Sequence, residues 1–153
     1  MNPKIRLAAV ASAVVLGAVV GYLYFFSTEA VVKRTIRSAA NAFENRALDD
    51  FMDAVSKDYT DEYQLSYGDI SEGASEACAT FEGFKVTLEK MEVVVEGSEA
   101  RASMLVTVVA TTKDREKWMV LGRPDSGQPA DLRLRLEGKR WRVVRATGVP
   151  QPR

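Results

Sequence analysis

The stretch Phe84–Glu96, FKVTLEKMEVVVE, places an apolar residue at every second position, but in two phases. Phe84, Val86 and Leu88 alternate with Lys85, Thr87 and Glu89; Met91, Val93 and Val95 then alternate with Glu92 and Val94, one residue out of step. Successive side chains of a strand point to opposite faces, so this alternation marks a strand with one buried side. A slip of one residue would turn the second half inside out. The strand keeps its apolar side inward only if an extra residue is absorbed at Glu89-Lys90 as a β-bulge. A bulge bends its strand and increases the twist, so the sheet built on it is expected to curl.

Working toward the C-terminus, Glu96-Gly97-Ser98 reads as a turn into a second strand, Ala100 to Thr112, rich in Val and Thr. A charged loop, Lys113 to Glu116, precedes a third strand, Lys117 to Leu121, and Pro124-Asp125-Ser126-Gly127-Gln128-Pro129 reads as a loop. The last two strands, DLRLRLE (131–137) and RWRVVRA (140–146), are joined at Gly138-Lys139. With a two-residue turn, Leu136 stands opposite Trp141 and Leu134 opposite Val143. One face of that hairpin is apolar and the other carries Arg133, Arg135, Arg140 and Arg142. In the same register Arg135 faces Arg142, a like-charged pair that needs a carboxylate nearby, from an adjoining strand or from a partner's acidic surface.

Upstream of Phe84 the period is that of a helix. Val32, Ile36, Ala39, Ala40 and Phe43 recur at spacings of three or four among Lys33, Arg34, Arg37 and Glu44. Leu48, Phe51, Met52 and Val55 repeat the pattern as a shorter helix, with Asp49 and Asp50 at its positive end. A third helix is predicted from a cap at Asp69 or Ser71 through Ile70, Ala74, Ala77, Cys78 and Phe81. Cys78 is the lone cysteine, so no internal disulfide exists, and it falls on the apolar side of that helix.

The chain begins MNPKIR and continues LAAVASAVVLGAVVGYLYFF, residues 7–26, without a charge. At about 1.5 Å per residue such a helix extends about 30 Å, the thickness of a bilayer's hydrocarbon core. A removed export signal has a shorter apolar run and ends in small residues, whereas this run ends in Tyr22, Tyr24, Phe25 and Phe26. The expectation is a permanent transmembrane anchor, with the N-terminus cytoplasmic and the residues beyond about Ser27 periplasmic or otherwise extracytoplasmic. Three segments follow: a tail and anchor (1–27), one folded domain (28–147) and a short tail (148–153). The class is α+β, three helices packed on a curved antiparallel sheet.

Formal charge is zero overall but unevenly spread. Glu44 to Glu76 holds ten acids against Arg46 and Lys57, and Lys113 to Arg153 holds eleven bases against five acids. Two solvated surfaces of opposite sign follow, or a docking surface for a partner or anionic headgroups. Zero net charge argues against nucleic acid as a partner.

The stretch NRALDDFMDAVSKDYTDEY (45–63) and the ending LEGKRWRVVRA (136–146) resemble the nuclear transport factor 2-like superfamily, over about Glu29 to Ala146. A cystatin-like helix-on-sheet domain is the alternative. The resemblance implies a cone whose helices and concave sheet enclose an apolar cavity, in a group that includes isomerases, dehydratases, epoxide hydrolases and non-catalytic members. It also implies where the isomerase branch would need a tyrosine donor and an aspartate base, and those positions fall on Ala39 and Tyr63. Ala39 has no donor and a tyrosine is a poor base at neutral pH. Asp61 or Glu62 supplies a carboxylate if the alignment moves by one or two residues.

Other chemistry is excluded more simply. With no histidine and one cysteine, nucleophile–imidazole pairs and zinc sites of the usual kinds are impossible. Gly68–Gly73 lacks the spacing and lysine of a phosphate loop, and Asp58–Glu62 lacks the central glycine of a calcium loop. No catalytic, metal or cofactor site is therefore expected. Phe43, Tyr59, Tyr63, Tyr67, Phe84, Trp118 and Trp141 read either as packed core, the simpler case, or as the walls of a pocket for a small apolar ligand. Two functions remain: a non-catalytic assembly module in an envelope complex or homodimer, held by its arginine face, or a small-ligand binder or enzyme of isomerase or dehydratase type using the cone.

Overall fold

The computed structural model describes the backbone of residues 3–150 and the side chains of residues 8–21 and 27–150. The chain forms α1 (Pro3–Phe26), α2 (Thr28–Glu44), α3 (Leu48–Asp53), α4 (Tyr67–Thr80), β1 (Gly83–Glu96), β2 (Glu99–Thr111), β3 (Lys117–Leu121), β4 (Gln128–Glu137) and β5 (Arg140–Thr147). Among the described residues no helix is long and apolar enough to cross a membrane. The expected span, residues 7–26, passes beyond the described side chains at both ends, so the anchor lies partly outside them. Within 8–21, Val10, Val14, Leu16 and Val20 are all exposed. Ser27 separates α1 from α2, its hydroxyl accepting the Ala30 amide at 3.2 Å as the N-cap.

The expected order of helices and strands is present, with local corrections. The third domain helix begins at Tyr67 rather than at Asp69 or Ser71, because Ser66 is its cap and Asp69 closes a capping box onto the Ser66 amide at 2.7 Å. α3 stops at Asp53, so Val55 is not helical. Residues 54–60 instead run beside β5, where Val143 N–H donates to Ala54 O at 2.7 Å and Ser56 N–H to Val143 O at 2.9 Å. That pairing covers the outer edge of the sheet. β4 begins at Gln128, which takes Gln128 and Pro129 out of the expected loop.

The five strands form one antiparallel sheet ordered β1-β2-β4-β5, with β3 also paired to β2. The bulge lies where the phase slip put it: the β1/β2 register shifts between Glu89 and Glu92, and Lys90 takes φ 51°. Two further bulges were not expected. Arg133 pairs with Arg145 while Leu134 pairs with Val143, leaving Val144 extra on β5, and Val120 is left over in the same way on β3. Three bulges on one small sheet curl it strongly.

On the concave face Val32 and Ile36 of α2 pack on Ala100, Ala102, Met104, Leu134 and Trp141. Ala100 and Ala102, both almost fully buried, are the small members of that cluster. Burying a side chain such as Leu134, 1% exposed, stabilises by about 1.5–3 kcal/mol. At the other end of α2, Glu44 accepts the Val86 amide of edge strand β1 at 2.6 Å. Arg46, in the turn after α2, donates to Phe81 O at 2.7 Å, to Glu82 O at 3.0 Å and to Cys78 O, tying that turn to the end of α4. Cys78 is buried, as its helix position implied.

Candidate ligand cavity

Beside the packed cluster, Ile36, Phe43, Val86, Met104, Leu132 and Val143 face an open cavity of about 450 Å³ between helices and sheet. The filled core expected from the aromatics does not occur there. The volume falls within the usual range for small-molecule sites, about 300–1,000 Å³. Its walls are almost wholly aliphatic and aromatic, with polar side chains at Thr35, Tyr59, Asp61 and Tyr63. Thr35 is occupied, its hydroxyl donating to Val31 O at 3.1 Å.

The polar spot is built by the segment that follows α3. Asp61, 9% exposed, accepts the Tyr63 and Leu65 amides on Oδ1 at 2.9 and 3.0 Å, the arrangement of an Asx turn. Its Oδ2 accepts the Tyr59 hydroxyl at 3.1 Å. Three donors therefore use most of the roughly four lone-pair sites of the carboxylate and hold it still. Burial raises the Tyr59 phenol well above the ordinary tyrosine range, and the neighbouring Asp61 charge and hydrogen bond add to that. Tyr59 is thus a neutral donor at any physiological pH.

Of the seven aromatics singled out in the sequence, Phe43, Tyr59 and Tyr63 line the cavity. Phe84 stacks behind Phe43 with ring centroids 4.6 Å apart. Tyr67 packs against the Met52, Val55 and Tyr59 cluster and holds the Lys57 ammonium 3.8 Å above its ring. Trp118 stands opposite Ala110 on β3 and is 56% exposed. Trp141 is 5% exposed in the packed cluster. Ala39 and Tyr63, the positions the family resemblance pointed to, both face the cavity, whereas Glu62 is exposed. Asp61 was reachable from sequence only as the alternative carboxylate of that alignment; its Asx turn with Tyr63 is the local signal that marks it.

The four hairpin arginines separate into two groups. Arg135 is bonded to Glu137 and, at 2.7 Å, to Asp58; Arg142 reaches Glu137 at 3.6 Å and Asp53 O at 3.0 Å; Arg140 reaches Asp53 at 3.6 Å. Arg133 instead lies in register with Arg101 and Arg145. Among the described residues no group of acids, cysteine or histidine is placed to hold a metal ion.

No protein-family model matches the sequence, and no curated protein resembles it at the level of sequence. Solved structures nevertheless share the architecture, and they define the class as the nuclear transport factor 2-like fold. An NTF2-like protein of unknown function from Pseudomonas putida is 15% identical over 78% of this chain and 84% of that one, with a TM-score of 0.59. A proposed scytalone dehydratase from Novosphingobium aromaticivorans is 11% identical over 80% of this chain and 87% of that one, TM-score 0.65. Bd1075 of Bdellovibrio bacteriovorus is 13% identical with a TM-score of 0.64; the match covers 80% of this chain and only 40% of that protein. At such identities the likeness is one of fold, and function rests on the site.

Proposed function

We propose that the domain binds one small, largely apolar molecule in the cone, with Tyr59, Asp61 and Tyr63 orienting a single polar group of that molecule. The observation that carries this reading is the open cavity of about 450 Å³ with its one polar corner. An apolar concavity of this size with a few polar groups is the usual setting for a small apolar ligand. Proteins of this fold include ligand binders, isomerases and dehydratases, in line with the proposed dehydratase among the similar structures.

Proton-transfer chemistry is the second reading, and Asp61 favours it, because it is the one carboxylate among the lining residues. The three donors on Asp61 weigh toward binding, since they leave little room for a substrate proton. Arg135 and Arg142, the opposed pair on which the assembly reading leaned, have counter-charges within the chain. The membrane location of residues 7–26, with the domain outside the cytoplasm, is kept as part of the proposal on the strength of the uncharged run and the exposed valines of α1.

Native mass spectrometry of the full-length protein, with Nile red as an added probe, tests the cavity. The expected result is a retained small-molecule adduct or saturable Nile red binding that Leu132→Trp abolishes by filling the void. Protein that carries no adduct and binds the dye identically in both forms overturns the proposal. Turnover of an identified ligand that is lost in Asp61→Asn, with binding retained, decides for the enzyme.

A further inference from the structure

The outer face of the sheet carries three arginines in one row. Register sets Arg101 of β2 opposite Arg133 of β4, and Arg133 opposite Arg145 of β5. Directly opposed residues on neighbouring strands have Cβ atoms about 4.5–5.5 Å apart, and like charges there repel. Elsewhere on this face the chain answers its arginines: Arg135, Arg140 and Arg142 each have a carboxylate. Among the described residues, Arg101, Arg133 and Arg145 have no ion pair and no side-chain hydrogen bond within the chain.

These three arginines, with Ser103, Asp131 and Thr147, line a groove of about 440 Å³. Asp131 is its one acid, and Asp131 Oδ1 accepts the Ser103 hydroxyl at 2.6 Å. Across the row, Glu96 and Glu99 line the adjoining hollow with Arg101 and Arg133, and Glu92 stands opposite Ser103. Within the groove itself three guanidiniums meet one carboxylate.

We propose that this groove binds a phosphate group, either free or as the headgroup of a lipid. A phosphate monoester carries about −1.5 to −2 charges at neutral pH and presents three strong acceptor oxygens. Guanidinium forks bind such oxygens in pairs. The Thr147 hydroxyl lies in the groove beside the arginines as a further donor. Leu132 lines both the groove and the cavity, but the arginines line the groove alone, so their substitution tests this site separately from the apolar ligand.

Thermal unfolding of the full-length protein at constant ionic strength, with inorganic phosphate replacing chloride, provides the test. Phosphate raises the midpoint of the wild type. Arg133→Gln removes the central charge, so it unfolds no lower than the wild type in chloride and loses the phosphate-induced rise, with affinity falling about tenfold or more for the loss of a charge-assisted contact. Arg140→Gln, whose arginine is paired with Asp53, keeps the rise. Dihexanoyl phosphatidic acid below its micelle concentration is the second probe. Tighter binding of it than of inorganic phosphate assigns the lipid source, and equal binding assigns the free one. No rise with either probe, or a rise that survives Arg133→Gln, overturns the site.

Discussion

Arg135 and Arg142 stand directly opposite each other on β4 and β5, and one carboxylate, that of Glu137, serves both. Asp58 and the Ser56 hydroxyl complete the group from the segment that runs beside β5. The hairpin can therefore hold two guanidiniums in register without a partner protein.

Glu137→Gln tests that compensation. The Arg135 hydrogen bond, followed by that of Ser56, lowers the Glu137 pKa below the usual glutamate value. A depressed carboxyl contributes stability that is fully present above its unfolded value, about pH 4.3, and is lost as pH falls through the lower folded value. Wild-type stability should therefore drop in that acid window, and Glu137→Gln should flatten the drop while costing about 1 kcal/mol at neutral pH. Urea midpoints measured across the acid range read both effects, and parallel profiles for the two proteins would refute the assignment.

Tyr59→Phe removes the donor on Asp61 Oδ2 while keeping the ring. An acid whose folded pKa is raised holds its proton in the folded state after the unfolded chain has lost it, so stability falls as pH rises past the unfolded value of about 10. The expected variant is about 1–2 kcal/mol less stable at neutral pH and loses less stability above pH 10 than the wild type. Guanidinium unfolding at neutral and alkaline pH checks both signs.

Gly148 turns the chain from β5 toward Val149 and Pro150, which line the cavity. Its φ is 82°, and a β-carbon there would sit 2.6 Å from Pro129 O. Gly148→Ala should cost about 1–3 kcal/mol through backbone strain and displacement of that segment. Nile red affinity should change with it, because two wall residues move; a stable variant with unaltered dye binding would show that the tail is not a wall.

Ser66→Ala removes the hydroxyl that caps α4 and, with it, one of the two Ser66 donors to the Asp69 carboxylate. A loss of about 1 kcal/mol is expected. Hydrogen exchange should quicken in the first turn of α4 and not in the sheet.

Val14→Lys together with Leu16→Lys tests the proposed anchor. Each charge at a helix centre costs about 2.5–3.5 kcal/mol in a bilayer. The wild type should resist alkaline carbonate extraction from membranes and the double variant should be released; release of both forms alike counts against anchoring.

Much of the fold was legible because its causes are local. The phase slip in Phe84–Glu96 required the bulge at Lys90, and the Gly138-Lys139 turn set Leu136 against Trp141 and Leu134 against Val143. The bulge residues Val120 and Val144 gave no such signal, since a valine fits either face of a strand. Ser66 is not distinguishable as the cap in sequence because Asp69 satisfies the same rule, and only the reciprocal bond between them separates cap from third residue. Val55 had helical spacing, but pairing with β5 outweighed the weak helical preference of a short segment.

By itself the sequence determined which faces are apolar, where the elements change, and the absence of histidine chemistry, since those depend on residue identity and short-range spacing. The tertiary structure decided that an open cavity lies between helices and sheet, that Asp61 rather than Glu62 faces it, and that Arg133 leaves the company of Arg135 for that of Arg101 and Arg145. Each of these is a difference between long-range quantities. A cavity is the volume a curled sheet encloses less the volume its side chains occupy, and an unpaired charge is one whose neighbours on other strands happen not to be acids.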